Sequence, residues 1–163
     1  MDEAPVERPI TIPEAMAIAL QSMKNGHYED AEELCRKVLE LVPDYPDALH
    51  YAGVTAHELG RSDDALALIE RSLALAPDQP DWHSNLGVVR QDRGDLEGAI
   101  EAYRRAIALK PAHANAHGNL GVLLKASGNF VDAEQAYRHA IELNPQHADA
   151  YHNLAVLLSA TQR

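Results

Sequence analysis

Cysteine is almost absent from this sequence: Cys35 is the only one among 163 residues, so no disulfide can form within the chain. A single thiolate also cannot build a cysteine-based zinc site. No segment approaches the roughly 18–20 consecutive apolar residues that a membrane-spanning helix requires. The residues around Met1 include acidic side chains where a secretory signal would carry basic ones. We therefore expect a cytoplasmic protein without disulfides.

Basic and aromatic residues are also scarce. Lys and Arg number 14 against 25 Asp and Glu, so the formal net charge is -11. This charge repels phosphate backbones and anionic lipids, and it argues against nucleic acid or a membrane surface as the partner. Aromatic residues make up only 5% of the chain, while alanine is abundant. Because strands favour β-branched and aromatic residues, this composition predicts an all-α fold.

The residues that are present repeat with a period of 34. Prolines recur at this interval at Pro43, Pro77, Pro111 and Pro145. The same interval aligns the alanines Ala31, Ala65, Ala99 and Ala133, and the glycines Gly26, Gly60, Gly94 and Gly128. Several aligned columns with one period indicate a repeat architecture.

Each period reads as a pair of helices. In the unit that starts at Pro80, a first helix is predicted to end near Gly94, and Asp95 is a suitable N-cap for a second helix that Pro111 terminates. Such a pair cannot bury its apolar faces alone and must stack on its neighbours, which gives a solenoid. The predicted division is a polar leader (1–11) and a repeat domain (12–163), with units 12–45, 46–79, 80–113 and 114–147 and a terminal half unit (148–163).

These columns resemble the tetratricopeptide repeat (TPR) family. The resemblance is carried by a leucine, a glycine, an alanine, a tyrosine, an alanine and a proline in fixed order, at Leu86, Gly87, Ala99, Tyr103, Ala106 and Pro111, and again at Leu120, Gly121, Ala133, Tyr137, Ala140 and Pro145. The first unit departs from the pattern, with Ala19 and Cys35 at the glycine and tyrosine positions. The resemblance implies an α-solenoid with a right-handed superhelical path and a role in protein–protein interaction.

Two polar columns fall on the first helix of successive units, which lines the concave groove of a curved array. The sixth residue is Asn85, Asn119 and Asn153 in the last three units, and we call these three residues the asparagine ladder. The second residue is acidic in three units, at Asp47, Asp81 and Asp149. A carboxamide offers two donors and an acceptor, so it can bond both groups of a peptide backbone. Helices about 8–10 Å apart would meet an extended chain roughly every third residue.

The motifs around these residues look like the repeats of the O-linked N-acetylglucosamine transferase arm. They read His83-Ser84-Asn85-Leu86-Gly87 and His117-Gly118-Asn119-Leu120-Gly121. That resemblance implies an asparagine and aspartate surface that binds an extended polypeptide. Tyr51 replaces the asparagine beside Asp47, and Asn115 interrupts the acidic column. A structural alternative remains open, in which each asparagine only bonds to the neighbouring repeat.

The motifs of common enzymes are absent from the sequence. It contains no phosphate-binding glycine loop, no G-x-S-x-G and no H-E-x-x-H, so we expect no catalytic residues and no cofactor. His113 and His117 have a two-ligand spacing, but solvated histidines are commoner, and no metal site is predicted. The groove positions also lack the lysines and arginines that would clamp a chaperone's carboxylate.

The final helix carries Leu154 and Leu158 without a following helix to cover them. We expect either a longer natural chain or an end-on homodimer through these leucines. The primary hypothesis is a module that binds an extended polypeptide in its groove, as the recognition arm of a larger protein. The alternatives are a self-assembly module with adhesive ends, and the fragment of a transferase whose catalytic domain follows Arg163.

Overall fold

The computed structural model of the protein describes residues 10–161. This part of the chain contains nine α-helices and no strand, and the predicted all-α fold class is confirmed. In chain order the helices are α1 (Ile12–Lys24), α2 (Tyr28–Leu41), α3 (Pro46–Glu58), α4 (Ser62–Leu75), α5 (Pro80–Asp92), α6 (Leu96–Leu109), α7 (Ala114–Ala126), α8 (Phe130–Leu143) and α9 (Ala148–Ala160). None of the described helices is long and apolar enough to cross a membrane.

The helices form two compact units, with the boundary between Leu75 and Ala76. The first unit contains α1 to α4 and the second contains α5 to α9. Consecutive helices pack closely as the pairs α1–α2, α3–α4, α5–α6 and α7–α8, while α9 packs on both α7 and α8. The predicted leader falls almost entirely outside the described residues, and α1 begins at Ile12 behind a capping box made by Thr11 and Glu14.

The turn within each helix pair depends on a glycine in the left-handed region. In the second compact unit, Gly94 has φ +80°, and its N–H donates a hydrogen bond to the Gln91 carbonyl at 2.9 Å. The Asp95 N–H reaches the Arg90 carbonyl at 2.9 Å, which completes a Schellman motif. The Asp95 side chain then accepts a hydrogen bond from the Gly98 N–H at 3.0 Å and caps α6, as predicted.

A small residue on the first helix of each pair faces a larger buried residue on the second. A β-carbon added to Gly87 would lie 2.5 Å from Cε1 of Tyr103, and one added to Gly121 would lie 2.7 Å from Cε1 of Tyr137. Both tyrosines are fully buried. The first pair of helices has Ala19 and Cys35 at these positions, both fully buried. The first helix pair thus departs from the repeat pattern at both positions together. Because Cys35 is smaller than tyrosine, the first helix can carry Ala19 instead of glycine.

Cys35 is fully buried, and burial raises the pKa of its thiol to about 12. A thiol with so high a pKa stays protonated at neutral pH and is a poor nucleophile. It serves as a small apolar side chain in the core of the first unit, where it packs with Ala19, Ala31 and Val38.

One ion pair recurs with the repeat. Arg71 Nη2 lies 2.6 Å from Asp44 Oδ1, and 34 residues further on Arg105 Nη2 lies 3.2 Å from Asp78 Oδ1. The arginine and aspartate side chains are half exposed or more, so each pair contributes about 0–1 kcal/mol. In each compact unit this ion pair links the second helix of a helix pair to the turn before the first helix of that pair. It therefore helps to set how the helices align more than it adds stability.

The last helix differs from the expectation. Leu154 and Leu158 are only half-buried rather than exposed, because Leu154 packs on the cluster that contains Tyr137 and Leu157. The large apolar side chains exposed on α9 are instead Tyr151 (50%) and Val156 (44%).

Candidate functional site

The asparagine ladder lies on α5, α7 and α9, at the same position in each helix. All three side chains are half-buried. Residues four apart share one face of a helix, so Asp149 and Asn153 lie together on α9, as Asn115 and Asn119 do on α7. This face carries carboxamides at the edge of the core, where they are shielded from bulk water but still accessible.

Asn119 is linked to the core through Tyr103. Gln91 of α5 accepts a hydrogen bond from the Tyr103 hydroxyl, with 3.2 Å between Tyr103 Oη and Gln91 Oε1. Burial raises the pKa of the Tyr103 hydroxyl, and a hydrogen bond from the Asn119 side chain partly opposes that rise. The tyrosine hydroxyl therefore connects polar side chains of α5 and α7.

The other two ladder residues also have partners within the protein. Lys125 Nζ donates to Asn153 Oδ1 at 3.4 Å, which places a positive charge beside α9. Asn85 takes part in an interaction inside the protein as well. A carboxamide has two N–H donors and two acceptor lone pairs, so the one bond described for Asn119 and for Asn153 leaves further capacity on each.

A cavity of about 180 Å³ opens between α7 and α9. Polar and apolar groups line it together: Gly118, Asn119, Val122, His147, Asp149, Ala150 and Asn153. Two ladder asparagines and one residue of the acidic column thus meet at one place. A cavity of this volume is large enough for several water molecules, each of which occupies about 30 Å³ in the liquid.

The remaining predicted site residues lie elsewhere. Oδ1 of Asp81 lies 3.0 Å from Nε2 of the buried His113. The other ring nitrogen of His113, Nδ1, accepts a hydrogen bond from the Ala116 N–H at 3.3 Å. Burial lowers the pKa of His113, and the Asp81 carboxylate opposes that shift. Asp81 is thus engaged at the start of α7. Asp47 belongs to the other compact unit, where it is exposed near Tyr51. The described residues bring together Asn119, Asn153 and Asp149, whereas Asp47 and Asp81 lie outside this cavity.

The histidines have structural roles that account for their spacing. Nε2 of His83 lies 2.7 Å from the Pro77 carbonyl oxygen, and Nε2 of His117 lies 3.0 Å from that of Pro111. These side chains bond to the turn that precedes their own helix. Within residues 10–161 no group of three or more His, Cys, Asp or Glu is placed to bind a metal ion.

Two features of the site were not predicted. The sequence pattern identifies Tyr103 only as a repeat position and does not predict the hydrogen bond of its hydroxyl to Gln91 on the preceding helix. His147 and Gly118 were also overlooked. Gly118 stands where the other first helices carry a side chain, at Met16, His50, Ser84 and His152, and this difference was readable from the alignment of the repeats.

Models of the tetratricopeptide repeat match almost the whole chain. They cover residues 22–86, 90–128, 114–147 and 136–163. The chain therefore belongs to the TPR family, and its repeats are those of a protein–protein interaction module. No curated protein matches it in sequence.

Solved structures with the same architecture include the crystal structure of MamA, at TM-score 0.78 and 25% identity over 89% of this chain and 85% of that one. PilF of Pseudomonas aeruginosa has TM-score 0.85 and 20% identity over 93% of this chain and 69% of that one, which reflects the fold alone. An O-GlcNAc transferase mutant from Thermobaculum terrenum has TM-score 0.77 and 28% identity, covering 80% of this chain and 26% of that one. The resemblance to this transferase noted in the sequence is confirmed.

Proposed function

We propose that the chain binds an extended polypeptide along the face formed by α5, α7 and α9, as the recognition arm of a larger protein. The observation that carries this proposal is the cavity between α7 and α9, in which Asn119, Asn153 and Asp149 meet. Similarity to part of a longer transferase supports the role of an arm. The repeats would follow the predicted division, with the ladder in units 80–113, 114–147 and the half unit 148–163.

The energetics favour a weak, sequence-tolerant interaction. Each net hydrogen bond between a carboxamide and a peptide backbone contributes about 0.5–1.5 kcal/mol. Three such residues contribute about 1.5–4.5 kcal/mol together, which alone corresponds to millimolar or weaker binding, and the ordering of the peptide opposes it. Micromolar affinity therefore requires apolar contacts as well, for which the half-buried Val88 and Val122 are candidates. Backbone bonds select an extended conformation rather than a sequence. Affinity in this range suits the sampling of many partners.

The acidic character of the chain adds a preference. The net charge of -11 and the exposed Asp149 beside the cavity repel an acidic peptide and attract a neutral or basic one. Lys125 of α7, which donates a hydrogen bond to Asn153, limits this electrostatic preference near Asn153. We therefore expect acidic peptides to bind most weakly.

Substitution of two ladder residues tests the proposal. Asn85→Ala combined with Asn119→Ala should abolish binding to an array of extended peptides, while the helical circular dichroism stays unchanged and the melting temperature falls by only a few degrees. Gln135→Ala, at an exposed position on α8, is the matched control and should bind as the wild type does. Retained binding together with a large loss of stability would assign the ladder to the structural alternative, in which it only connects repeats.

Self-association is a second candidate function, and the exposed surface of α9 favours it. Tyr151 and Val156 are exposed, and a cavity of about 200 Å³ between α8 and α9 is lined by Arg138, Ile141, Glu142, Tyr151 and Leu154. An end-on homodimer would cover this surface, including the half-buried Leu154 and Leu158. Light scattering from 5 to 500 μM (about the range for weak dimers) should then reveal a dimer that Tyr151→Glu disrupts. A monomer throughout would exclude this function.

A further inference from the structure

His147 lines the cavity between α7 and α9, and one nitrogen of its ring is buried without a hydrogen bond. Nε2 of His147 is shielded from solvent, and no group among the described residues forms a hydrogen bond with it. It lies against Gly118, because a β-carbon added there would be only 3.0 Å from this nitrogen. A buried polar atom without a partner costs free energy, and a ligand group that bonded it would recover that cost.

Gly118 lines this space, and its lack of a side chain lets the His147 ring approach the backbone of α7. The equivalent residue of α5 is Ser84, whose side chain is buried, whereas Gly118 presents bare backbone to the cavity. The equivalent of His147 is His113, whose Nε2 is also buried without a well-aligned hydrogen bond but has the Asp81 carboxylate 3.0 Å away. The repeat shift of 34 puts Asn115 where that aspartate would be. The buried nitrogen of His147 therefore has no paired carboxylate beside it, whereas that of its counterpart 34 residues earlier does.

The charges around the cavity restrict what it can accept. Asp149 lines it and disfavours a carboxylate. Asn153 also lines the cavity, and it accepts a hydrogen bond from Lys125. The positive charge of Lys125 disfavours an ammonium group there. A neutral group is left. In a neutral imidazole the proton is on Nδ1 or on Nε2, so Nε2 either accepts or donates a hydrogen bond. A ligand group that can both donate and accept a hydrogen bond therefore fits both tautomers.

Apolar groups complete the selection. Val122 and Ala150 line the same cavity as His147 and Asp149, so a ligand must present a methyl group together with its polar group. We propose that this cavity is a side-chain pocket for an aliphatic hydroxyl residue of the bound polypeptide, threonine first and serine second. The hydroxyl bonds His147 Nε2 and the methyl group of threonine contacts Val122. This inference rests on the proposed function, because it places the side chain of a peptide that the ladder binds.

The experiment uses an array of nine-residue acetylated peptides in identical sequence frames, with the central residue varied among Thr, Ser, Val, Ala, Lys and Asp. Valine has the shape of threonine without the hydroxyl, so the comparison isolates one or two hydrogen bonds. We expect threonine peptides to bind about threefold to tenfold more tightly than valine peptides.

Two variants locate the preference in this cavity. Gly118→Ala places a methyl group against His147 Nε2 and should remove the preference for threonine, while the higher helix propensity of alanine protects folding. His147→Leu should do the same, and no cap is lost because the His147 side chain makes no capping bond. Ser84→Ala, at the equivalent position of α5, is the matched control and should retain the preference.

The outcomes separate this inference from the function on which it rests. If the Asn85→Ala, Asn119→Ala variant loses binding but threonine and valine peptides bind the wild type equally, the pocket is refuted and the groove stands. A threonine preference that Gly118→Ala and His147→Leu both leave intact also refutes the pocket. If no peptide binds, or if binding ignores the ladder, both proposals are wrong.

Discussion

Tyr103 and Tyr137 occupy the same repeat position, and each is fully buried against a glycine of the preceding helix. They differ in the hydroxyl group. That of Tyr103 bonds Gln91 at 3.2 Å and interacts with Asn119, whereas that of Tyr137 is buried without a hydrogen-bond partner among the described residues. Substitution by phenylalanine removes one oxygen from each and leaves the ring in place. The two variants therefore isolate the hydroxyl in otherwise equivalent surroundings.

The expected effects have opposite signs. Tyr103→Phe loses about one net hydrogen bond, and it should reduce the free energy of unfolding by about 0.5–1.5 kcal/mol. Tyr137→Phe removes a buried polar group that costs about 1–3 kcal/mol to leave without a partner, so it should be neutral or stabilising by about 1 kcal/mol. A difference of about 2 kcal/mol corresponds to roughly 4–8 °C in melting temperature for a chain of this size.

Urea and thermal unfolding, followed by circular dichroism, measure this difference directly. Peptide binding by Tyr103→Phe supplies a second readout, since the variant releases one internal bond of Asn119 and should leave binding unchanged or tighter. Equal melting temperatures for the two variants would refute the account of the Tyr103 hydroxyl. A large loss of binding in Tyr103→Phe would indicate that the internal bond holds Asn119 in its binding orientation.

Three further predictions concern stability. Gly87→Ala adds a methyl group 2.5 Å from Tyr103 Cε1, and this overpacking should cost about 1–3 kcal/mol. The higher helix propensity of alanine returns about 1 kcal/mol, so the urea midpoint should fall. Tyr103→Cys should relieve the clash and restore the midpoint. Burial lowers the pKa of His50 to about 3, so between pH 6.5 and about 3 the unfolded chain binds more protons at this residue than the folded chain does. His50 should therefore lower the free energy of unfolding by up to about 1.4 kcal/mol per pH unit as the pH falls, and His50→Leu should remove this contribution to the slope. Asn115→Asp should raise the melting temperature by giving His147 the partner that Asp81 gives His113, and an unchanged value would contradict the repeat argument.

The fold was readable from the sequence because its determinants recur. Gly94 and Asp95 terminate one helix and begin the next through bonds to backbone atoms, which any sequence with these residues at this spacing can make. The match between Gly87 and Tyr103 is likewise a local property of a helix pair. Repetition multiplied these signals and left little ambiguity about helix order.

The site was only partly predictable, because contacts between different helices decide it. The sequence placed Asp81 and Asp149 in one column, yet Asp81 meets a buried histidine and Asp149 lines a cavity. Residue 118 is a glycine in this cavity, whereas the equivalent residue of α5 is Ser84. The exposure of Leu154 was overestimated for a similar reason, since α9 packs on α8 without needing a following helix.

The central claim is that the ladder carboxamides bind the main chain of another polypeptide. A peptide selected from the array, resynthesised with one backbone amide replaced by an ester, lacks a single N–H donor and keeps every side chain. Against the wild type, the ester at the position that faces Asn119 should bind about threefold to tenfold more weakly than the amide, and against Asn119→Ala the two should bind equally. Equal loss of affinity in both proteins, at every ester position, would contradict the claim.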